Sequence, residues 1–406
     1  MENQVWAKLQ ELVERVTTHS PFYRERLGSR KVNSLEEFYQ IPYTDKADLR
    51  EAYPLGLMAV PQKQVVRIHS SSGTTGKPVI IPYTRRDVET WAMMFSRCFA
   101  MAGITDEDVV QVTPGYGLWT AGIGFQAGAE HLGAMVIPMG PGNTEKQIQM
   151  LLDLKTTVLC ATASYALLLA EEVGRRNLNE QIHLKRGIIG SELWGDLMRG
   201  RIAEELGIEL FDIYGLTEVY GPGIGVDCSY HTGIHYWDDQ VYFDIIDPET
   251  GEPVPDGQLG ELVISTFHKE AAPVLRYRTH DITCLIPGQC PCGSPHKRIG
   301  RIMGRTDDMI KVKGVNIYPG QITDALRNIE GLSSEYQVHI DHLEGKDQML
   351  LKVERKSQTN SKELEAALMH YFKSKVGLTI KVETVEIGAL PRSEKKSQRV
   401  FDYRQK

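Results

Sequence analysis

Three short apolar runs, VVQVTP at 109–114, AMVIPM at 134–139 and TTVLCAT at 156–162, alternate with helical stretches such as 144–154 and 163–176. Strands separated in this way by helices predict a largely parallel α/β sheet. A hairpin-like region follows, VYFDIIDPETGEPV at 241–254 and GELVIST at 260–266, where an ETG turn between alternating residues predicts antiparallel strands. Beyond Arg305 the texture changes. Short strands (MIKVKGV at 309–315, YQVHI at 336–340, MLLKVER at 349–355) surround helices near 319–330 and 361–375. This is a compact α+β unit of about 100 residues. The expected organisation is a large N-terminal α/β domain over residues 1–306 and a small α+β domain over 307–406, with no internal repeat and no low-complexity linker.

The 406 residues exceed one ordinary core, in keeping with two domains. A content of 41% hydrophobic and 24% charged residues is that of a globular protein, and disorder is not expected. The formal net charge of −7 argues against a nucleic-acid partner, which calls for a basic surface, while leaving room for local basic pockets. No stretch approaches the roughly 18 apolar residues of a membrane span. The opening MENQVWAKLQELVERV carries Glu2, Glu11 and Glu14 and reads as an amphipathic helix rather than a secretory signal. Six cysteines (Cys98, Cys160, Cys228, Cys284, Cys290, Cys292) are too few for a disulfide scaffold here. Thiols or a metal site in a reducing cytoplasm are expected instead.

The densest chemical signal is SSSGTTGKP at 70–78, between the strand-like VVRIH and VIIPYT. Glycines let backbone N–H groups turn toward an anion, the hydroxyls of Ser70, Ser71, Ser72, Thr74 and Thr75 add donors, and Lys77 adds charge. A plain Ser/Gly surface turn is the competing reading, and nine such residues in a row between strands count against it. The loop is not that of the classical P-loop NTPases. Their motif requires Gly where Ser71 stands and Ser or Thr where Pro78 stands.

SSSGTTGKP resembles the phosphate loop of the adenylate-forming enzymes. Three further segments resemble that superfamily's motifs in the right order: YGLTE at 214–218, GRTDDMIKVKG at 304–314 and LPRSEKKSQR at 390–399. Within the superfamily, RIHSSSGTTGKP, YGLW, LRYRTHDIT and GRTDDMIKVKGVNIYPGQI are most similar to the phenylacetate–coenzyme A ligases. The resemblance implies ATP-dependent activation of a carboxylic acid as an acyl-adenylate. The acyl group then passes to coenzyme A, leaving AMP and pyrophosphate, and the small C-terminal domain is mobile. It also implies residue roles. Ser71, Ser72, Gly73, Thr74, Thr75, Gly76 and Lys77 would hold phosphates, Thr217 would contact the α-phosphate and Glu218 would hold Mg²⁺, a hard cation that takes one or two protein carboxylates. Tyr214 would stack on adenine, beside Asp212 and Gly215, with Gly190, Ser191 and Glu192 bordering the base. Asp281 would accept from the ribose hydroxyls, and Arg305 would serve ribose or phosphate. The family more often has Arg where His280 stands. Asp307 would be the hinge. Lys396 would be the catalytic lysine, although Lys395 takes the place of the usual preceding Gly and is the alternative.

Tyr116, Gly117 and Trp119, with Gly122 in the following TAGIGFQAGAE, resemble the lining of the aryl pocket in those ligases, and Gly223 and Ile224 are further candidates. An ordinary core cluster is the competing reading. Trp119 stands where relatives more often have Phe. Cys290 and Cys292 form a tight pair on a turn, with Cys228 and His235 upstream. Thiolate and imidazole in this combination suit structural Zn²⁺. The resemblance to zinc-carrying ligases implies these four as ligands, with His231 or His296 as substitutes for His235. Free cytosolic thiols are the alternative.

The expected function is an aryl-acid ligase taking a small carboxylic acid, ATP and coenzyme A. Competing readings are loading of a carrier-protein thiol or an amine, a degenerate scaffold, and a zinc-ribbon nucleic-acid binder. The full set Lys77, Thr217, Glu218, Asp281, Arg305 and Lys396 opposes the scaffold, and the acidic balance opposes the last. The resemblance implies a homodimer.

Overall fold

The computed structural model describes residues 2–71, 77–343, 346–356, 359–392 and 398–404. They form two compact units. One comprises Met1–Gly140, Thr156–Cys160 and Phe211–Arg301, the other Pro141–Lys155, Ala161–Leu210 and Ile302–Lys406.

In the first unit the opening segment is a helix, Glu2–His19, that buries Leu9, Leu12, Val13 and Val16, the spacing of one helical face. The strands flanking the Ser/Gly-rich segment, Val65–Ser70 and Ile80–Thr84, pair antiparallel with Ser70 opposite Ile80, so they form a hairpin. Val109–Val112 lies between Met135–Pro138 and Val158–Thr162, parallel to both, as the alternation of strands and helices predicts. Helix Arg85–Met101, capped by Thr84 and Asp87 in a capping box, packs on helix Thr120–Leu132. The contact explains the glycines of TAGIGFQAGAE. A Cβ on Gly124 would lie 2.5 Å from the Trp91 ring and one on Gly128 2.4 Å from Phe95. These glycines admit the protein's own aromatics.

The sheet is less parallel than the sequence suggests. Glu209–Leu216 is followed by Gly221–Asp227 running back against it, with Ile213 opposite Val226. Ile234–Tyr236, Arg298–Ile299 and Leu285–Ile286 continue the antiparallel sequence. Residues 217–220 are a turn too short for a crossover helix, and only antiparallel strands can be joined so tightly. The expected hairpin forms as read: Val241–Ile246 pairs antiparallel with Gly260–Thr266, which pairs in turn with Tyr277–Thr283.

In the second unit, helices Thr144–Asp153 and Ala163–Arg175 match the expected stretches. MIKVKGV is not one strand. Ile310–Val312 and Val315–Ile317 form a hairpin whose two turn residues, Lys313 and Gly314, both have positive φ (52° and 78°). That is the geometry of a tight primed turn. Leu332–Leu343 and Lys346–Arg355 pair antiparallel, with Val400–Asp402 and Lys381–Glu386 parallel on the outer edges. Helices Pro319–Arg327 and Ser361–Tyr371 cover this sheet through Ile322, Leu326, Leu364 and Leu368, packed in one core with Val338, Ile340, Leu351 and Val353. Among the described residues no helix is long and apolar enough to cross a membrane.

Candidate functional site

The base of the expected phosphate loop is closed by short hydrogen bonds. Ser71 N–H donates to Val79 C=O at 3.0 Å, and Val79 N–H donates to Ser71 Oγ at 3.1 Å. Ser70 N–H donates to Leu118 C=O at 2.8 Å, and His69 Nδ1 lies 3.2 Å from the same oxygen. Burial lowers the His69 pKa to about 4, so near neutrality the ring is uncharged and acts as a donor to Leu118. The end of strand Val65–Ser70 and the segment 116–119 are thereby tied together. Lys77 is exposed, with Nζ 5.5 Å from the Tyr53 ring centre. Ser72, Gly73, Thr74, Thr75 and Gly76 lie outside the described residues.

Thr217 and Glu218 sit on the turn after Glu209–Leu216. Thr217 Oγ1 is 3.3 Å from Thr120 Oγ1 at the start of its helix. Glu218 is buried at 4% exposure, and its carboxylate is answered by Lys46 Nζ at 3.1 Å. The following residues are pinned. Tyr220 C=O accepts from Tyr83 Oη at 2.7 Å, and the fully buried Lys269 places its ammonium 4.2 Å from the Tyr220 ring centre and 3.9 Å from that of Tyr83. Burial lowers the Lys269 pKa to about 7, against the opposing pull of Asp87. Gly215 is sterically required. A Cβ there would lie 2.1 Å from Gly221 C=O on the returning strand. Asp212 N–H donates to Asp227 Oδ1 at 2.8 Å.

Tyr214 and Asp281 meet directly. Tyr214 Oη donates to Asp281 Oδ2 at 2.6 Å, and both residues are buried, at 7% and 8% exposure. The Tyr214 and Phe243 rings lie nearly perpendicular, at 86° with centres 6.3 Å apart. His280 adopts φ 67°, where the register of Tyr277–Thr283 slips against Gly260–Thr266. Its N–H donates to Glu261 Oε1 at 3.2 Å, while Arg278 forks onto the same fully buried carboxylate at 3.0 and 2.6 Å. This irregularity re-aims the strand at Asp281.

In the second unit, Gly190 ends strand Arg186–Gly190 and Ser191 turns with φ 69°. Glu192 hydrogen-bonds Ser164. Arg305 forks onto Asp307, 2.8 Å on each branch, so the expected nucleotide ligand and the expected hinge residue are paired with each other. Lys395 and Lys396 lie outside the described residues.

At the expected acid pocket, Gly117 has φ 87°, Trp119 is 54% exposed just before helix Thr120–Leu132, and Tyr116 packs on Gly122, where a Cβ would lie 2.7 Å from its ring. Gly223 and Ile224 belong to the core. The strand bearing them is buried along its length, and a Cβ on Gly223 would lie 2.5 Å from the Phe95 ring.

The ligand atoms of Cys228, His235, Cys290 and Cys292 all lie within 4.8 Å of one another. Cys228 Sγ is 3.7 Å from Cys290 Sγ, and Cys292 Sγ is 3.4 Å from His235 Nε2. A tetrahedral ion with metal–sulfur bonds of about 2.3 Å requires edges of roughly 3.8 Å, so the spacing fits. His235 Nδ1 lies 3.0 Å from His296 C=O. A proton on Nδ1 donates there and leaves Nε2 turned to the cluster. His296 contributes its backbone, and its ring goes to Asp238 at 2.7 Å, while the His231 ring goes to Asp227 at 2.9 Å. Neither replaces His235.

Sequence reasoning missed Lys46 and Lys269. TDKADLR gives only a capped helix start, and nothing local marks Lys46 as the partner of Glu218.

Residues 19–268 match the family "AMP-binding enzyme" and residues 314–404 the family "AMP-binding enzyme C-terminal domain". A phenylacetate–coenzyme A ligase of Pseudomonas putida is 42% identical, covering 95% of this chain and 90% of its own. One of Thermus thermophilus is 39% identical, covering 98% and 95%. Among solved structures, 2-hydroxyisobutyryl-CoA ligase in its postadenylation state, with an acyl-AMP bound, superposes with a TM-score of 0.89 at 28% identity, over 99% of this chain and 90% of that one. The same protein with CoA, in its thioesterification state, scores 0.71 over the same shares. The chain belongs to the AMP-binding enzymes, among the phenylacetate–coenzyme A ligases, and is an AMP-forming ligase that activates a carboxylic acid as its adenylate and transfers the acyl group to coenzyme A.

Proposed function

We propose that the acid is aromatic, an aryl or arylacetic acid, held by the segment Tyr116–Trp119. The observation that carries the proposed site is the buried carboxylate of Glu218, with Lys46 at 3.1 Å and Thr217 beside it. A buried anion with a half-buried cationic partner is suited to taking up Mg²⁺ with a triphosphate. When bound, the ion neutralises charge on the phosphates. Thr217 then contacts the α-phosphate, the loop 71–77 holds the outer phosphates, and Asp281, fixed by Tyr214, accepts from the ribose hydroxyls. Gly190, Ser191 and Glu192 border the base, and Asp212 and Gly215 contribute to nucleotide binding. Lys396 reaches the α-phosphate as a point charge. The C-terminal domain, from residue 307, turns about Asp307, and Arg305 is released from Asp307 to meet the nucleotide. Zn²⁺ on Cys228, His235, Cys290 and Cys292 is structural, since all four positions of a tetrahedron are filled by protein. Such thiolates suit a reducing cytoplasm, and the family resemblance implies a homodimer.

The test is coenzyme A thioester formation across a panel of acids. Phenylacetate and benzoates are expected to give thioester and AMP at rates well above those of small aliphatic acids. Turnover confined to aliphatic acids contradicts the aromatic assignment.

A further inference from the structure

Arg392 stands four positions before Lys396 in the motif LPRSEKKSQR. Its guanidinium bridges two carboxylates. Nη1 and Nη2 donate to Glu354 Oε1 and Oε2, both at 2.8 Å, while Nη2 and Nε donate to Glu171 Oε1 and Oε2 at 2.7 and 3.0 Å. Glu354 is fully buried on strand Lys346–Arg355, and its Oε1 also accepts the N–H groups of Gly388 and Leu390 at 3.0 Å each. That half of the network lies within the C-terminal family region and anchors the turn from which the lysine-bearing segment departs. The other half does not. Glu171 is on helix Ala163–Arg175, within the region matched by the N-terminal family, so the Arg392–Glu171 pair joins the two family regions.

Each side of the pair has a second partner. When it parts, Arg392 keeps Glu354, and Glu171 keeps Arg201, whose Nη2 donates to Glu171 Oε1 at 2.7 Å. Neither side is left as an uncompensated buried charge, which is the main cost of breaking an ion pair away from water. The related 2-hydroxyisobutyryl-CoA ligase matches this chain at 0.89 in one state and 0.71 in another, so the backbone of that protein differs between its two steps.

We propose that Glu171 is a positioning residue for adenylation: it acts through Arg392, holding the Lys396 segment for attack on ATP and releasing it for thioester formation. This rests on the reading of Lys396 given above. The experiment measures the two half-reactions separately, pyrophosphate exchange into ATP and thioester formation from supplied acyl-adenylate. Glu171→Gln is expected to slow exchange about tenfold while leaving thioester formation near wild type, and Glu171→Arg to slow exchange further. Glu171→Asp, which keeps the charge, is expected to recover most of the loss. Equal losses in both half-reactions at an unchanged melting temperature, or no loss in either, overturn the proposal. Lys396→Ala with normal exchange refutes the lysine reading itself. Lys396→Ala without exchange, beside a normal Glu171→Gln, refutes the latch alone.

Discussion

Lys396→Ala is expected to lower adenylation by about two to three orders of magnitude, while thioester formation from supplied acyl-adenylate stays close to wild type. Charge accumulates on the α-phosphate as the carboxylate attacks and pyrophosphate departs, and a cation brought to those oxygens acts mainly in the transition state. Once the adenylate exists, that charge has been resolved, and on the proposed reading the lysine has no further task. Lys395→Ala is the necessary companion, because both residues stand at the end of the motif. A larger loss from Lys395→Ala moves the role by one position. Equal loss in both half-reactions from Lys396→Ala contradicts a lysine specific to adenylation.

The second large effect concerns the cysteine cluster. Cys290→Ser, or prolonged chelation, is expected to lower the melting temperature by about 10 °C. The four ligand atoms come from two segments, 228–235 and 290–292, that no disulfide joins. A bound ion therefore acts as a clip, and losing it leaves buried thiols without their counter-charge. Protein prepared without chelators is expected to carry one zinc per chain. Replacement by Co²⁺ is expected to give the visible absorption of tetrahedral cobalt thiolate. Zinc-free protein with an unchanged melting temperature under chelation contradicts the site.

What the sequence made legible was local. The strand–helix alternation at 109–176, the hairpin at 241–266 and the α+β region after Arg305 are carried by periodicity over neighbouring residues, and they form where expected. The reversal at 217–227 was not legible, because YGLTE is a signature of chemistry and carries no strand-direction signal. The tight turn in MIKVKGV was hidden because Lys313 holds a conformation usual for glycine. The glycines of TAGIGFQAGAE looked like pocket lining, yet two of them are explained by Trp91 and Phe95 about thirty residues earlier.

The same division holds at the site. Cys290 and Cys292 announce themselves as a pair, but their meeting with Cys228 and His235 depends on Arg298 pairing opposite His235 across the sheet. Tyr214 and Asp281 were each found by motif, whereas their hydrogen bond was not foreseeable, since it spans 67 positions. Lys46 has no local signature, and Arg392 sits in a motif that says nothing of Glu171. Only the fold brings such partners together.

On the proposed reading, this chain gathers ATP at the phosphate loop and Glu218 so that a carboxylate attacks the α-phosphorus. Exchange of labelled pyrophosphate into ATP, in the absence of coenzyme A, measures that step by itself. Exchange that depends on an aromatic acid and on Mg²⁺, and that is lost in Glu218→Gln, is the predicted result. Folded protein that exchanges no label with any organic acid supplied, or that exchanges equally well without one, contradicts the account.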